Sequence, residues 1–217
     1  MEINFWTGTE LEGGSFDETS GRWSVALRRA DGTRREMQPR HVVLATGVSG
    51  IPAIPDIPSL RRFSGKVLHS SEYEDGEAWA GKSAIVIGTG NSGHDIAQDL
   101  HSSGARVTLL QRSPTLIVNV EPSAQLPYAL YDEGPPLEDC DLITTSNAYP
   151  LAIRGAQMMT KRQNEIDREL LDKLHARGFR TDIGEDGPGY LMKVRRYHSG
   201  YYLNCGASDL IAEGKIG

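Results

Sequence analysis

The run Gly88-Thr89-Gly90-Asn91-Ser92-Gly93 has the residue types and spacing needed to hold the pyrophosphate of a dinucleotide. Gly88 permits a sharp turn, Gly90 lets backbone lie against phosphate oxygens, and Gly93 allows the following helix to pack tightly on its sheet. Glycine-rich turns are common, so context decides. This one opens from the apolar run Ser83-Ala84-Ile85-Val86-Ile87, a strand buried on both faces, and closes into a stretch that places Ile96, Ala97 and Leu100 on one face of a helix over 92–103. A helix starting there offers unpaired N–H groups and partial positive charge to an anion. Thr89 lies inside the turn, and Asn91 and Ser92 can add side-chain donors. The competing reading is a strand-to-helix turn with no ligand.

The choice of nucleotide falls to the end of the next strand, Arg106-Val107-Thr108-Leu109-Leu110. An NAD site usually places Asp or Glu there, about 20 residues on, to accept from the ribose 2′-hydroxyl. Here the strand runs out as Leu110-Gln111-Arg112-Ser113, without an acid. The Arg112 guanidinium can pair with a 2′-phosphate, so NADPH is favoured over NADH, with Ser113 beside it. A solvated surface arginine is the alternative. No catalytic side chain can be named. His94 and Asp95 are neighbours in the helix, but adjacent helical positions point about 100° apart and do not share a role.

The elements that must position this turn can be read outward from it. The strand, helix and second strand make a βαβ unit of roughly 30 residues. Upstream, Ile3 and Phe5, and more clearly Trp23, Val25 and Leu27, alternate with polar residues as strands do. Asp31-Gly32 supplies a hairpin turn back into 34–37. His41-Val42-Val43-Leu44-Ala45 reads as a strand buried on both faces that ends at Thr46-Gly47. Pro52, Pro55 and Pro58 then mark a crossover. Downstream, five prolines make 120–150 an irregular excursion, and a single helix is expected over 151–177, with loop over 182–189. A short helix from Ser208 closes at Gly214, and Lys215-Ile216 start a strand that is cut off.

Bulk properties bound the rest. The chain has 217 residues, 38% of them apolar, enough for one large domain or two small ones. A net charge of −6 argues against a nucleic-acid partner, which needs clustered Lys and Arg. No apolar run approaches the ~20 residues of a membrane helix, and residues 1–12 do not form a signal peptide, so a cytoplasmic location is expected. The six histidines and two cysteines show no metal-ligand spacing, and no metal is expected. Cys140 and Cys205 lie far apart and form no CxxC.

Residues 63–73, Phe63-Ser64-Gly65-Lys66-Val67-Leu68-His69-Ser70-Ser71-Glu72-Tyr73, match FxGxxxHxxxY in full, just before the glycine turn. Together with Asp95-Ile96-Ala97 and the earlier Leu44-Ala45-Thr46-Gly47, the chain resembles the flavin-containing monooxygenases over 41–114. Tyr73 resembles the heteroatom-oxidising or plant-auxin-type branch more than the Baeyer–Villiger enzymes.

The resemblance implies an α/β protein with a Rossmann-type NADPH-binding domain and a β-meander and strand remnant of an FAD domain. Residues 1–60 would be the partial FAD domain, and 61–217 the NADPH domain. In such enzymes NADPH reduces the flavin, and one oxygen atom of O2 enters a small organic substrate. Carried over by position, Gly88, Thr89, Gly90, Asn91, Ser92, Gly93, Arg112 and Ser113 would hold NADPH. Ala45, Thr46 and Gly47 would border FAD. Phe63, Gly65, His69 and Tyr73 would line the linker and position the nicotinamide half, with His69 equally readable as a residue that only fixes the linker. The family's first glycine turn, for FAD, has no counterpart, since Glu12-Gly13-Gly14-Ser15 reads as a loop. The chain therefore looks like an internal piece of a longer protein that binds FAD poorly or not at all alone. A nucleotide-binding piece without catalysis is the alternative; a related NADPH-dependent flavin reductase acting on disulfides would need a cysteine pair that Cys140 and Cys205 do not form.

Overall fold

A computed structural model describes residues 4–217, which fall into two compact units divided between Ile54 and Pro55.

The first unit is built on an antiparallel meander, β1 (Thr9–Asp17), β2 (Arg22–Arg29) and β3 (Arg34–Met37), in the order β1-β2-β3. The β2–β3 turn forms at Asp31-Gly32 as read. Gly32 takes φ +82°, and Asp31 Oδ1 accepts the Thr33 N–H at 2.9 Å. The segment Glu12-Gly13-Gly14-Ser15 is not a loop but part of β1. The register shifts between Leu11 and Gly13, a β-bulge, and a Cβ on Gly14 would press on Val25 Cγ1 at 3.0 Å. Glycine thus lets β1 lie close against β2. Glu12 of β1 pairs with Arg28 on the central strand β2 and with Arg34 on β3. Phe5 lies outside any strand and is exposed, and Ile3 lies outside the described residues.

The expected strand over 41–45 does not form. Val43 and Leu44 are 84% and 74% exposed, and no strand pairs with this run. An all-apolar strand is held by neighbours on both edges and layers on both faces. Residues 4–54 supply neither.

The second unit carries the glycine turn. Strands β4 (Ser83–Ile87) and β5 (Arg106–Leu110) pair in parallel, joined by helix α1 (Asn91–Ser102). Parallel pairing requires such a crossover. Gly217 extends the ladder on the far side of β5: its N–H reaches the Val107 carbonyl at 3.1 Å, and its carbonyl takes the Leu109 N–H at 2.8 Å. Among the described residues of this unit, one face of this sheet is covered. Ala84, Val86 and Val107 turn towards Ala97 and Leu100 of α1, whereas Ile85 is 68% exposed, so β4 is buried on one face rather than both. A second parallel pair follows, β6 (Leu116–Asn119) with β7 (Tyr201–Asn204).

Between β6 and β7 the chain is more helical than its prolines suggest. After single turns at 120–124 and 126–128 come α2 (Ala129–Glu133), α3 (Leu137–Thr145), α4 (Tyr149–Ile166), α5 (Arg168–Ala176) and α6 (Gly189–Tyr197); α7 (Ala207–Ala212) follows β7. Three of the five prolines in the supposed excursion sit where helices begin. Pro127 and Pro150 occupy first-turn positions and Pro136 is the N-cap of α3, sites at which a missing N–H breaks no bond. The long helix expected over 151–177 breaks at Asp167. Its buried carboxylate accepts the Asn119 N–H at 2.9 Å, Asn119 Nδ2 at 2.8 Å and Ser123 Oγ at 2.7 Å. The α4–α5 junction is thereby fastened to the end of β6. Leu170 and Leu174 of α5, Ala207 and Ile211 of α7, Phe179, Tyr202 and Ile216 complete the core over α1.

Candidate dinucleotide-binding site

The glycine turn has the shape its sequence implies. Gly88 sits at φ +117°, in the region that favours glycine, and its N–H donates to the Leu110 carbonyl at 3.0 Å. A Cβ on Gly93 would collide with the Gly88 carbonyl, so close packing of helix on strand depends on that glycine. Gly90 faces open space, with no heavy atom within 4 Å of where a Cβ would stand.

Gly90 is also the N-cap of α1, and no side chain caps the helix. The first intrahelical bond runs from the His94 N–H to the Gly90 carbonyl at 3.1 Å, which leaves the N–H groups of Asn91, Ser92 and Gly93 without an intrahelical partner. The first turn holds no acidic residue. Uncapped N–H groups, the helix dipole and the clearance at Gly90 together fit a bound pyrophosphate.

His94 holds this turn from beneath. Its ring is fully buried, stacked 3.9 Å from Tyr202, and Nδ1 lies 3.1 Å from the same Gly90 carbonyl. As the carbonyl only accepts, Nδ1 carries the proton. Burial pulls the imidazole down to about 4, so it is neutral at pH 7. Asp95 next to it points to solvent. The two do not act together.

Two side chains of the turn tie it to neighbouring elements. Thr89 is buried, its hydroxyl bonded to that of Thr115, so only its backbone faces the turn. Asn91 Oδ1 accepts the Leu203 N–H at 3.1 Å, anchoring the start of α1 to β7. Ser92 is exposed.

The end of β5 lies beside the turn through the Gly88–Leu110 and Thr89–Thr115 bonds. Arg112 and Ser113 are exposed there, with no acid among residues 111–115. Sequence reasoning missed what backs this corner. The Gln111 side chain pairs in both directions with the Arg180 backbone, Oε1 accepting at 2.9 Å and Nε2 donating at 2.8 Å. Arg180 is 68 residues from Arg112, and no local pattern points to it.

The FxGxxxHxxxY segment is occupied with its own folding. The Phe63 ring lies over Gly65, where a Cβ would stand 2.5 Å from it. His69 caps the single turn Ser70–Glu72: Nδ1 accepts the Ser71 N–H at 3.2 Å, and Glu72 takes the His69 N–H at 3.0 Å. Tyr73 donates to Asp99 near the C-terminal end of α1, about 12 Å along the helix from its start. Tyr73 thereby clips the end of this segment to α1, while Phe63, Gly65 and His69 make their contacts within the segment itself. Ala45, Thr46 and Gly47 belong to the first unit and to no strand. Cys140 is buried, Cys205 exposed, and both are free thiols. Among the described residues no helix is long and apolar enough to cross a membrane.

Comparison with known proteins gives this arrangement a context. The family model described as flavin-binding monooxygenase-like matches residues 10–133, more than half of the chain. Indole-3-pyruvate monooxygenase YUCCA1 of Oryza sativa subsp. japonica is 39% identical over 106 residues, covering 49% of this chain and 25% of that protein. FAD-binding monooxygenase lolF1 of Epichloe uncinata is 36% identical over 117 residues, covering 54% of this chain and 21% of that protein. The chain thus spans about a quarter of the length of these curated relatives. Among solved structures, a cyclohexanone monooxygenase mutant from Rhodococcus sp. Phi1 bound to NADP+ matches 58% of this chain and 24% of its own, at 26% identity and TM-score 0.43.

Proposed function

Because the chain belongs to the flavin-binding monooxygenase-like family, we propose that residues 61–217 form the NADPH-binding domain of an NADPH- and FAD-dependent monooxygenase, with residues 1–60 contributing to its FAD domain. The observation that carries this reading is the uncapped start of α1 behind Gly88, Gly90 and Gly93, with Arg112 rather than an acid at the end of β5. The Asn91, Ser92 and Gly93 N–H groups would hold the pyrophosphate, and Arg112 the 2′-phosphate, with Ser113 alongside. When bound, NADPH supplies a hydride. The chain's own part is to bind and orient it: Gly90 leaves room, His94 holds the Gly90 carbonyl away from the phosphates, and Asn91 fixes the helix start against β7. In the whole enzyme that reducing power would serve the insertion of one oxygen atom from O2 into a small organic substrate.

FAD is a different matter. The described residues contain one strand–GxGxxG–helix, and Ala45, Thr46 and Gly47 lie in no strand that could present them to a flavin. They do not fit FAD on their own, and this favours a second reading, a nucleotide-binding portion without catalysis of its own. Adding FAD to the purified chain and following O2-dependent NADPH oxidation separates the two. The first unit's geometry leads us to expect NADPH binding without oxidation above the free-flavin background. Flavin retained through gel filtration, with turnover, would contradict that expectation and assign catalysis to these residues.

A further inference from the structure

The guanidinium of Arg180 is pinned at the corner where the proposed 2′-phosphate would sit, and this inference rests on that proposal. Its Nη2 donates to the Arg112 carbonyl at 2.8 Å. The Arg180 backbone is held on both sides: its N–H by Gln111 Oε1 at 2.9 Å, and its carbonyl by Gln111 Nε2 at 2.8 Å and the Thr115 N–H at 3.1 Å. The residue is therefore ordered before any ligand arrives, which lowers the entropy lost on binding.

The Arg180 guanidinium is thus bonded to the backbone of Arg112, and no carboxylate among the described residues neutralises either arginine. Neither Arg112 nor Arg180 makes an ion pair with a carboxylate among the described residues. The acid nearest to Arg180 in sequence, Asp182, is taken by Lys193 Nζ at 2.7 Å. Both arginines are exposed, so a ligand can reach them. One Arg180 donor is spent on the Arg112 carbonyl, and four of its five N–H groups remain. A doubly charged phosphomonoester, with three acceptor oxygens, matches two forked donors better than a phosphodiester or a hydroxyl does.

We infer that Arg180 is a second arm of the phosphate site, gripping the ribose 2′-phosphate of NADPH together with Arg112, and so helps to set nucleotide specificity. Gln111 acts through it, as the residue that positions the Arg180 backbone.

Calorimetric titration of the full chain with NADPH, NADH, 2′,5′-ADP and 5′-ADP tests this, using wild type, Arg180→Ala, Arg180→Lys and Arg112→Ala. Arg180→Ala should weaken NADPH and 2′,5′-ADP by about 10- to 100-fold while moving NADH and 5′-ADP by less than about twofold. Arg180→Lys keeps the charge but loses the fork, and should fall between. Equal losses for phosphorylated and unphosphorylated ligands would show a merely structural residue and overturn the inference, as would no loss at all. If Arg112→Ala is selective and Arg180→Ala is not, the second arm fails while the NADPH reading stands. If wild type does not distinguish NADPH from NADH, both fall together.

Discussion

The Tyr73 hydroxyl donates to Asp99 Oδ2 at 2.6 Å, tying the end of the FxGxxxHxxxY segment to the far end of α1 from the glycine turn. Burial, and then the bond to Asp99, push the phenol well above its ordinary range, so it stays protonated and remains a donor at any working pH. One turn further on, a Cβ at Gly76 would stand 2.9 Å from the Asp99 carbonyl oxygen, and the chain lies flat on the helix there.

Tyr73→Phe should therefore destabilise the second unit by about 1 kcal/mol, the scale of one hydrogen bond, and leave NADPH affinity within about twofold. Thermal unfolding and nucleotide titration on the same samples read the two effects apart. Lost affinity with unchanged stability would assign Tyr73 to the cofactor instead.

Gly90 and Gly93 should respond in opposite ways. A methyl at Gly93 collides with the Gly88 carbonyl, so Gly93→Ala should cost about 2 kcal/mol or more of stability as the turn is forced open. A methyl at Gly90 meets open space, so Gly90→Ala should fold with a loss of about 1 kcal/mol at the cap, yet weaken NADPH about 10-fold or more by filling the phosphate's place. Denaturant melts and nucleotide titrations of both variants read this. A Gly90→Ala protein that binds NADPH normally would show that the pyrophosphate lies elsewhere.

Acid should unfold the second unit partly through His94. Its imidazole titrates near 4 when folded and near 6.5 when free, with Nε2 buried and unpartnered, so the unfolded chain binds the proton more readily. The stability from keeping it neutral is complete above pH 6.5 and is lost as pH falls towards 4, by about 3 kcal/mol. Denaturant melts between pH 4 and 8 measure this slope, and His94→Leu should flatten it in that window. An unchanged slope in the variant would place the proton uptake on another group.

How much of this was legible in the sequence followed how local each feature is. The β4–α1–β5 unit could be read because apolar periodicity, three glycines and the end of α1 at Ser102 lie within one short stretch. The run at 41–45 misled for the complementary reason: its composition suits a buried strand, but strands exist only with partners, and composition does not show them. Gly13 and Gly14 read as a loop because glycine is a turn residue, whereas here it permits a bulge and a close approach to Val25. The break at Asp167 depends on Asn119 and Ser123, over 40 residues away, and no helical period carries that information. Within the site, the glycines and Arg112 are visible by type and spacing. The tie from the Thr89 hydroxyl to Thr115 and the place of Arg180 were invisible, because both depend on residues outside the turn and its local pattern.

The central claim, a site for NADPH rather than NADH at the start of α1, is tested most directly by titrating wild type and Arg112→Ala with both nucleotides. The account predicts that wild type binds NADPH at least about 10-fold more tightly than NADH, and that the gap narrows sharply in the variant while NADH affinity holds. Equal affinities in wild type, or equal losses of both in Arg112→Ala, would contradict it.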